Sequence, residues 1–165
     1  MTRAAYSAGC SVCLEWKGTN ALHFATRAKM IGSGLDEQLE KFVREHSDTK
    51  LIIVDTLQKV REALSDSYSY SSDYEVIGKL KQFADRHGVC VLIVHHTRKQ
   101  PAGDSFEMIS GTTGLLGCAD GALLMQKEKR TDSKATLEVV GRDQPDQRLY
   151  LSKDQESLVW GFDRE

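Results

Sequence analysis

The sequence predicts an α/β protein, with a mainly parallel sheet, flanking helices and a C-terminal antiparallel extension. Two β-branched apolar runs, "LIIVD" and "VCVLIV", have the length and composition of strands that are buried on both faces. A helical pattern separates them, and strands joined by a helix lie parallel with a right-handed crossover. The last third of the chain contains short runs such as "KATLEVVG", whose alternation is typical of half-exposed antiparallel strands.

The part of the chain before the first buried run is predicted to contain a short strand and a helix. Residues 22–26, "LHFAT", are the strand candidate. A helix is predicted from Leu35 to His46, because its apolar side chains recur at i, i+4, i+7 and i+8. Ser33, which comes three positions before Asp36, resembles the start of a capping box for this helix.

The connection between the two buried runs predicts their parallel arrangement. A helix is expected from Asp73 to His87, with Ser72 and Glu75 as its capping box. Gly88 is expected to end this helix directly before the second strand. The Ser- and Tyr-rich stretch before the helix is interpreted as a surface loop.

The second half is predicted to begin with a glycine-rich loop that leads into a short helix at about residues 113–119. Four strands then follow, the segments "GALLMQK", "KATLEVVG", "RLYLS" and "SLVWG". The segment "EKRTDSK" is predicted to join the first two as a hairpin turn.

Size, composition and charge limit the classes of function. A chain of 165 residues is long enough for one domain, predicted over 21–165, after an irregular N-terminal segment, 1–20. The formal net charge of −2 argues against a wholly basic protein that coats nucleic acid. No apolar run approaches the roughly 18 residues of a membrane span. The first residues also lack the apolar stretch of a secretory signal, so we expect a cytoplasmic protein without a membrane partner.

The four cysteines give little indication of a metal or redox site. Cys90 and Cys118 lie within runs of apolar or small residues and are predicted to be buried thiols. Cys10 and Cys13 form a single C-x-x-C, with no second pair to complete a zinc site.

The carboxyl ends of the two parallel strands are the predicted site, because open α/β sheets bind ligands at that edge. Asp55 ends the first strand, where a carboxylate could hold magnesium through water or could cap the following turn. His95 and His96 end the second strand and could contact a phosphate, ligate a metal or lie hydrogen-bonded at the surface. Neighbouring residues on a strand point to opposite faces, which weakens the metal interpretation.

Positive charge and small residues follow the second strand. Arg98 and Lys99 are suited to the phosphates of a nucleotide or a nucleic acid. The segment "ISGTTGLLGCAD" offers backbone N–H groups near a helix start, an arrangement that favours anions. Arg142 and Arg148 are more typical of solvated turn arginines than of catalytic ones.

Three segments follow one another along the chain: "LIIVDTLQKVR", then, after a helix, "VCVLIVHHTRKQ", and then "SGTTGLLGCADGALLM". This order of motifs resembles that of the RepA-like branch of the RecA-type hexameric helicase ATPases. The resemblance covers the chain from about Leu22 to its end. It implies a partial RecA-like (P-loop NTPase-type) domain, with ATP and Mg²⁺ as the cofactors of the family. It also implies a DNA-dependent ATPase or helicase activity, related to plasmid or mobile-element DNA replication, in a dimer or ring of identical chains.

The same resemblance assigns roles to individual residues. Asp55 would be the Walker B carboxylate that holds Mg²⁺ through water, with Thr56 beside it in the nucleotide site. His95 and His96 would couple the γ-phosphate to the DNA-facing loop, and Glu15 in "VCLEW" would be the catalytic glutamate. Arg142 would be an arginine finger that reaches the nucleotide of a neighbouring subunit. The DNA-facing loop would contain Thr97, Arg98, Lys99, Gly111 and Thr112.

The sequence departs from the family in its phosphate loop. No G-x-x-x-x-G-K-[ST] string occurs in it, and "IGSGLDEQ" has the glycines without the lysine or the spacing. We therefore interpret the chain as the C-terminal part of such a domain, and no efficient ATP hydrolysis is expected from it alone. The missing strand would leave an apolar sheet edge or face uncovered, which predicts dimerisation through that surface.

Two other functions are compatible with the sequence. The first is a non-catalytic DNA-binding or regulatory module, which would bind single-stranded DNA with salt dependence and ignore ATP. The second is a metal-dependent phosphoesterase that uses Asp55, His95 and His96. It ranks last because the chain lacks the several spaced carboxylates and histidines of two-metal hydrolysis.

Overall fold

The computed structural model describes residues 21–61, 70–97, 105–109 and 114–163. These residues fall into two compact units, one formed by Arg27–Ala119 and one formed by the residues up to Thr26 together with those from Asp120 onward. Glu15 and four residues of the predicted DNA-facing loop, namely Arg98, Lys99, Gly111 and Thr112, lie outside the described residues.

The first unit alternates helices and strands. Its elements are α1 (Leu35–Glu45), β1 (Leu51–Asp55), α2 (Leu57–Val60), α3 (Tyr70–His87), β2 (Cys90–Val94), a 3-10 helix (Ser105–Met108) and α4 (Gly114–Cys118). β1 and β2 pair in parallel, with Leu51 opposite Cys90 and Asp55 opposite Val94. The predicted pair of parallel strands, connected through a long helix, is therefore confirmed.

The ends of the helices differ in part from the prediction. The N-cap of α1 is Gly34, with a φ of 107° and no side-chain cap hydrogen bond, so the capping box at Ser33 is wrong. α3 begins at Tyr70, which places Ser72 inside the helix and makes the second capping box wrong as well. Gly88 ends α3 as predicted, with a φ of 61°. Glycine adopts this left-handed conformation without the steric cost that other residues meet.

One face of the parallel sheet packs on the core of the first unit. The buried members of this core are Ile31, Leu35, Leu57, Val60, Ile77, Leu80, Leu115 and Cys118. Val54 from β1 and Ile93 from β2 are partly buried against them. Ile77, Leu80 and Phe83 form the buried side of α3, and Cys118 is the buried thiol that the sequence predicts.

The other face of the same sheet is exposed, so the prediction of strands buried on both faces is wrong for the described residues. The exposed fractions are 51% for Leu51 and 56% for Ile53 on β1, and 39% for Leu92 and 37% for Val94 on β2. Cys90 lies on this face and is exposed, which contradicts its predicted burial. An apolar run indicates that a segment tends to form a strand. It does not indicate whether other elements cover each face of the sheet that contains the strand.

The second unit is an antiparallel sheet with the order β3-β4-β5-β6. Its strands are β3 (Gly121–Gln126), β4 (Lys134–Gly141), β5 (Gln144–Lys153) and β6 (Trp160–Phe162). The α/β class and the antiparallel extension are thus confirmed. Among the described residues the parallel sheet has two strands and the antiparallel sheet has four, so the extension is the larger of the two.

The strand predicted at residues 22–26 is wrong, because this segment forms no strand. Its two large apolar side chains, Leu22 and Phe24, are 38% and 52% exposed. Strand propensity in so short a segment does not form a strand without a partner strand to bond to.

None of the helices in the described ranges has the length and apolar character that crossing a membrane requires.

Candidate functional site

The candidate site lies at the carboxyl edge of the parallel sheet. Asp55 is the last residue of β1 and pairs with Val94, the last residue of β2, so His95 and His96 leave the sheet next to Asp55. Asp55 and His96 are exposed, and His95 is half-buried. The parallel register thus brings together the strand ends that the sequence predicted to converge.

The turn after Asp55 is closed by the backbone and not by the aspartate side chain. Thr56 is the N-cap of α2 and makes no side-chain cap hydrogen bond. The backbone N–H of Lys59 donates to the carbonyl oxygen of Thr56 at 2.9 Å, and the peptide bond between Asp55 and Thr56 is cis. Asp55 is therefore not a capping residue, and its exposed carboxylate remains accessible to a cation.

The segment after the histidines is closed at its base by one bridge. Thr97 pairs with Ile109 in an isolated antiparallel bridge. This contact brings together the two ends of the stretch that carries Arg98 and Lys99. The predicted DNA-facing loop therefore begins next to the edge that holds Asp55.

No group of three or more His, Cys, Asp or Glu side chains that could hold a metal ion occurs in the described part of the chain. Asp55, His95 and His96 thus do not form a metal centre made of protein ligands alone. A single carboxylate does suit Mg²⁺, which binds oxygen and keeps several waters and substrate phosphates in its shell. The donor at this edge fits a magnesium ion that a nucleotide shares.

Comparison with known protein families indicates the family to which the chain with this sheet edge belongs. A family model for the AAA domain, a family related to the P-loop NTPases, matches residues 11–102. This chain belongs to the AAA domain family. The match contains β1, α3 and β2, together with Asp55 and both histidines. A search of curated proteins found no match.

Membership of the AAA domain family supports an ATPase-like domain, in a family that uses a nucleotide and magnesium. The match begins at residue 11 and so includes Glu15, which lies outside the described residues. The match ends at residue 102, within the predicted DNA-facing loop. The roles that the sequence assigns to individual side chains stay predictions.

A buried ion pair within this AAA domain was missed by sequence reasoning. Arg61, at the end of α2, pairs with Asp73 on α3, and their side chains are 9% and 0% exposed. The pair ties the helix that follows Asp55 to the long helix that precedes β2. The spacing of residues in the sequence indicates the burial of Asp73. Asp73 lies four residues before Ile77, and therefore on the same, buried side of the helix.

The two arginines in the second unit have different surroundings. Arg142 lies in the turn between β4 and β5, where its Nη1 is 3.7 Å from Oδ1 of Asp120 and the side chain is 59% exposed. This setting is that of a solvated turn arginine, and the finger role stays a prediction. Arg148 donates to the largely buried Glu138 across β4 and β5, and this hydrogen bond raises the pKa of Arg148 above its ordinary value.

Proposed function

We propose that this chain is an ATPase-type domain that keeps the magnesium-binding edge of its sheet and binds Mg-nucleotide weakly, without efficient hydrolysis. The observation that carries the proposal is the exposed carboxylate of Asp55 at the end of β1, beside the end of β2. This arrangement lies inside the part of the chain that matches the AAA domain.

The weak binding follows from the donors that the sequence contains. A phosphate loop supplies a cradle of backbone N–H groups and a lysine, and no such motif occurs in the sequence. Asp55 would hold the magnesium ion through water, and a ring N–H of His95 or His96 would donate to a phosphate oxygen. When bound, the ion would neutralise phosphate charge. The carboxylate and the two imidazoles replace only a small part of the phosphate contacts that the N–H groups and the lysine of a phosphate loop provide.

The finer assignment belongs to the same proposal. The order of the motifs supports a RecA-like domain of the RepA-like branch, with an ancestral function in plasmid or mobile-element DNA replication. In this assignment Glu15 is the catalytic glutamate, Arg142 is the finger, and the chains act as a homo-oligomer. Thr56 lies beside Asp55 as the N-cap of α2, which suits a place in the nucleotide site.

A titration with Mg-ATP tests this proposal. We expect millimolar Mg-ATP to shift the NMR resonances of the His95 and His96 rings, with a dissociation constant above about 1 mM, or about −4 kcal/mol. Asp55→Ala should abolish the shifts, whereas Asp48→Ala should retain them, since Asp48 lies in an exposed turn at the opposite end of β1. Phosphate release should stay at the level of the buffer.

Each possible result has a distinct meaning. Calorimetric binding tighter than about 1 mM that Asp55→Ala abolishes would show that a strong nucleotide site survives, against the proposed weakness. The absence of any shift at the histidine rings would contradict the nucleotide site itself.

A non-catalytic DNA-binding module is the second candidate. The observation that favours it is the bridge between Thr97 and Ile109, which closes the base of the loop that carries Arg98 and Lys99. This function requires the loop and does not require a nucleotide.

A further inference from the structure

The exposed face of the parallel sheet carries a continuous apolar patch in the first unit. Its members, which we call the β1–β2 patch, are Leu51, Ile53, Cys90, Leu92 and Val94. The parallel register places Leu51 beside Cys90 and Ile53 beside Leu92. The four large apolar side chains of the patch are 37–56% exposed. Contiguous exposed apolar surface of this kind marks an interaction face.

The two ends of this face carry opposite charges. Asp55 alternates with Leu51 and Ile53 along β1, and all three are exposed, so Asp55 lies on the side of the patch, at the carboxyl edge of the sheet. Lys50 is exposed and directly precedes Leu51 at the amino edge. The acidic Asp48 lies two positions farther from the patch, in the turn before β1. The face therefore has an apolar middle, a cation at one end and an anion at the other.

We propose that a second copy of this chain docks on the β1–β2 patch, with the two sheets face to face and their strands antiparallel. A two-fold axis that lies between the sheets and perpendicular to the strands produces this arrangement. It packs Ile53 and Leu92 against the same two residues of the second copy. It also brings Lys50 of each chain to Asp55 of the other, so that two symmetric ion pairs flank one apolar contact.

The charge pattern favours a second copy over an unrelated partner. An isologous interface joins the same patch on both chains, so the patch has to be complementary to itself. Antiparallel strands meet this condition, because each chain then presents Lys50 to Asp55, whereas parallel strands would place like charges at the same end. The two strands cover about 17 Å by 10 Å. This area is well below the about 800 Å² per partner of a stable interface, so the dimer is weak and reversible.

The same contact would regulate the site at Asp55. An ion pair with Lys50 of the second copy occupies the carboxylate that would hold magnesium, so dimerisation and Mg-nucleotide binding exclude each other. This consequence rests on the proposed function, whereas the dimer itself requires no nucleotide. Concentrations of Mg-ATP that shift the ring resonances of His95 should also raise the monomer fraction, and an unchanged fraction would contradict the competition. Failure of Mg-ATP to shift these resonances would contradict the proposed function and not the dimer.

Charge reversal in the full chain, measured by sedimentation velocity, tests the dimer. We expect Lys50→Asp and Asp55→Lys each to weaken association at least about 10-fold, because like charges would then oppose each other at both ends. The double variant exchanges the two charges and should recover association to within about threefold of the parent. A double variant as weak as the single variants, or a parent that stays monomeric up to about 1 mM, would overturn the proposal.

Lys41→Asp is the matched control, since it makes the same change of charge as Lys50→Asp on the exposed surface of α1. It should leave the association constant within about twofold of the parent, because water and salt screen a charge that lies away from the contact. A loss equal to that of Lys50→Asp would show that net charge, and not the charged ends of this face, controls association. Circular dichroism checks that each variant keeps its secondary structure.

The reactivity of Cys90 provides a second measurement that requires no substitution in the sheet. Cys10→Ser with Cys13→Ser leaves the exposed Cys90 and the buried Cys118 as the thiols of the chain. A water-soluble maleimide should label Cys90 at about half the monomer rate when half of the chains are in dimers, because the second copy covers this thiol. A rate that stays constant while sedimentation detects dimers would place the contact on another surface and refute the proposal.

Discussion

At the residue scale, the pair formed by Arg61 and Asp73 places two opposite charges inside the first unit. Desolvation of both groups costs free energy, and their attraction offsets that cost only while both are present. Their position explains why they occur together. Arg61 follows the helix that begins after Asp55, and Asp73 lies on the helix that leads to β2. The pair therefore connects the two elements that flank the candidate site.

Loss of one partner should be costly. We expect Asp73→Ala to lower the free energy of unfolding by about 3–5 kcal/mol, because the largely buried charge of Arg61 would lose the Asp73 carboxylate. Urea denaturation followed by circular dichroism measures the change. The double variant Arg61→Met with Asp73→Leu should recover most of the loss.

An exposed pair serves as the comparison for this experiment. Lys41 and Glu45 lie 3.8 Å apart on α1, with side chains that are 74% and 58% exposed. Glu45→Ala should change the free energy of unfolding by less than about 0.5 kcal/mol, since water and salt screen such pairs. A similar small effect of Asp73→Ala would contradict the view that the buried pair holds the two helices.

At the scale of elements, one glutamate connects α1 to the end of α3. Oε1 of Glu40 accepts from Nη1 of Arg86 at 2.7 Å, and its Oε2 is 2.9 Å from Nε2 of His87. The interaction with His87 is the main cause that lowers the pKa of Glu40 below its ordinary value, and Arg86 acts in the same direction. His87 also packs its ring against Phe83 on the same helix, with the ring centroids 4.7 Å apart.

This lowered pKa predicts a stability that depends on pH. The Glu40 carboxylate is favoured in the folded state, so its contribution is present above the ordinary glutamate pKa and is lost as the pH falls through the folded value. Glu40→Gln should therefore be less stable than the parent at about pH 7, and the difference should shrink as the pH falls through the lowered folded pKa of Glu40. Urea denaturation across this range measures it.

The matched control for this prediction is Glu37→Gln, which removes an exposed carboxylate from the same helix. It should have little effect on the pH dependence, because the exposed Glu37 takes no part in the contact of Glu40 with Arg86 and His87. If the deficit of Glu40→Gln did not shrink as the pH falls below the ordinary glutamate pKa, the stabilisation would not come from the ionised carboxylate.

At the scale of the whole molecule, charge limits how nucleic acid could bind. The formal net charge of −2 provides no general attraction to DNA, so affinity has to come from local groups. The predicted loop supplies two such groups, Arg98 and Lys99. The base of that loop is defined by the bridge between Thr97 and Ile109.

Single-stranded DNA binding is therefore expected to depend on salt and on this loop. Each phosphate contact contributes about −0.7 to the slope of log K against log salt concentration. Arg98→Ala with Lys99→Ala should reduce the magnitude of the slope by about 1.4 in fluorescence anisotropy titrations.

The control for DNA binding removes the same amount of charge from another surface. Lys41→Ala with Arg44→Ala changes two exposed basic residues of α1 and should leave the slope unchanged. Equal losses in both double variants would indicate nonspecific attraction and would contradict a DNA-facing loop.

Most of the helices and strands are encoded by local sequence pattern. β-Branched runs predicted β1 and β2, helical spacing predicted α1 and α3, and the parallel order of two strands joined by a helix placed Asp55 next to His95. These features depend on residues close in the chain and on a strong rule of handedness. That is why the candidate edge is predictable from the sequence.

Contacts between distant parts of the chain establish what covers each face of the sheet and which charges are buried. The same apolar run packs Val54 on the core and leaves Ile53 exposed, and Cys90 is accessible although its neighbours are apolar. Asp73 is fully buried because Arg61 comes from another helix to meet it. The physical reason is that burial and pairing depend on distant parts of the chain, and periodicity along one segment contains no information about them.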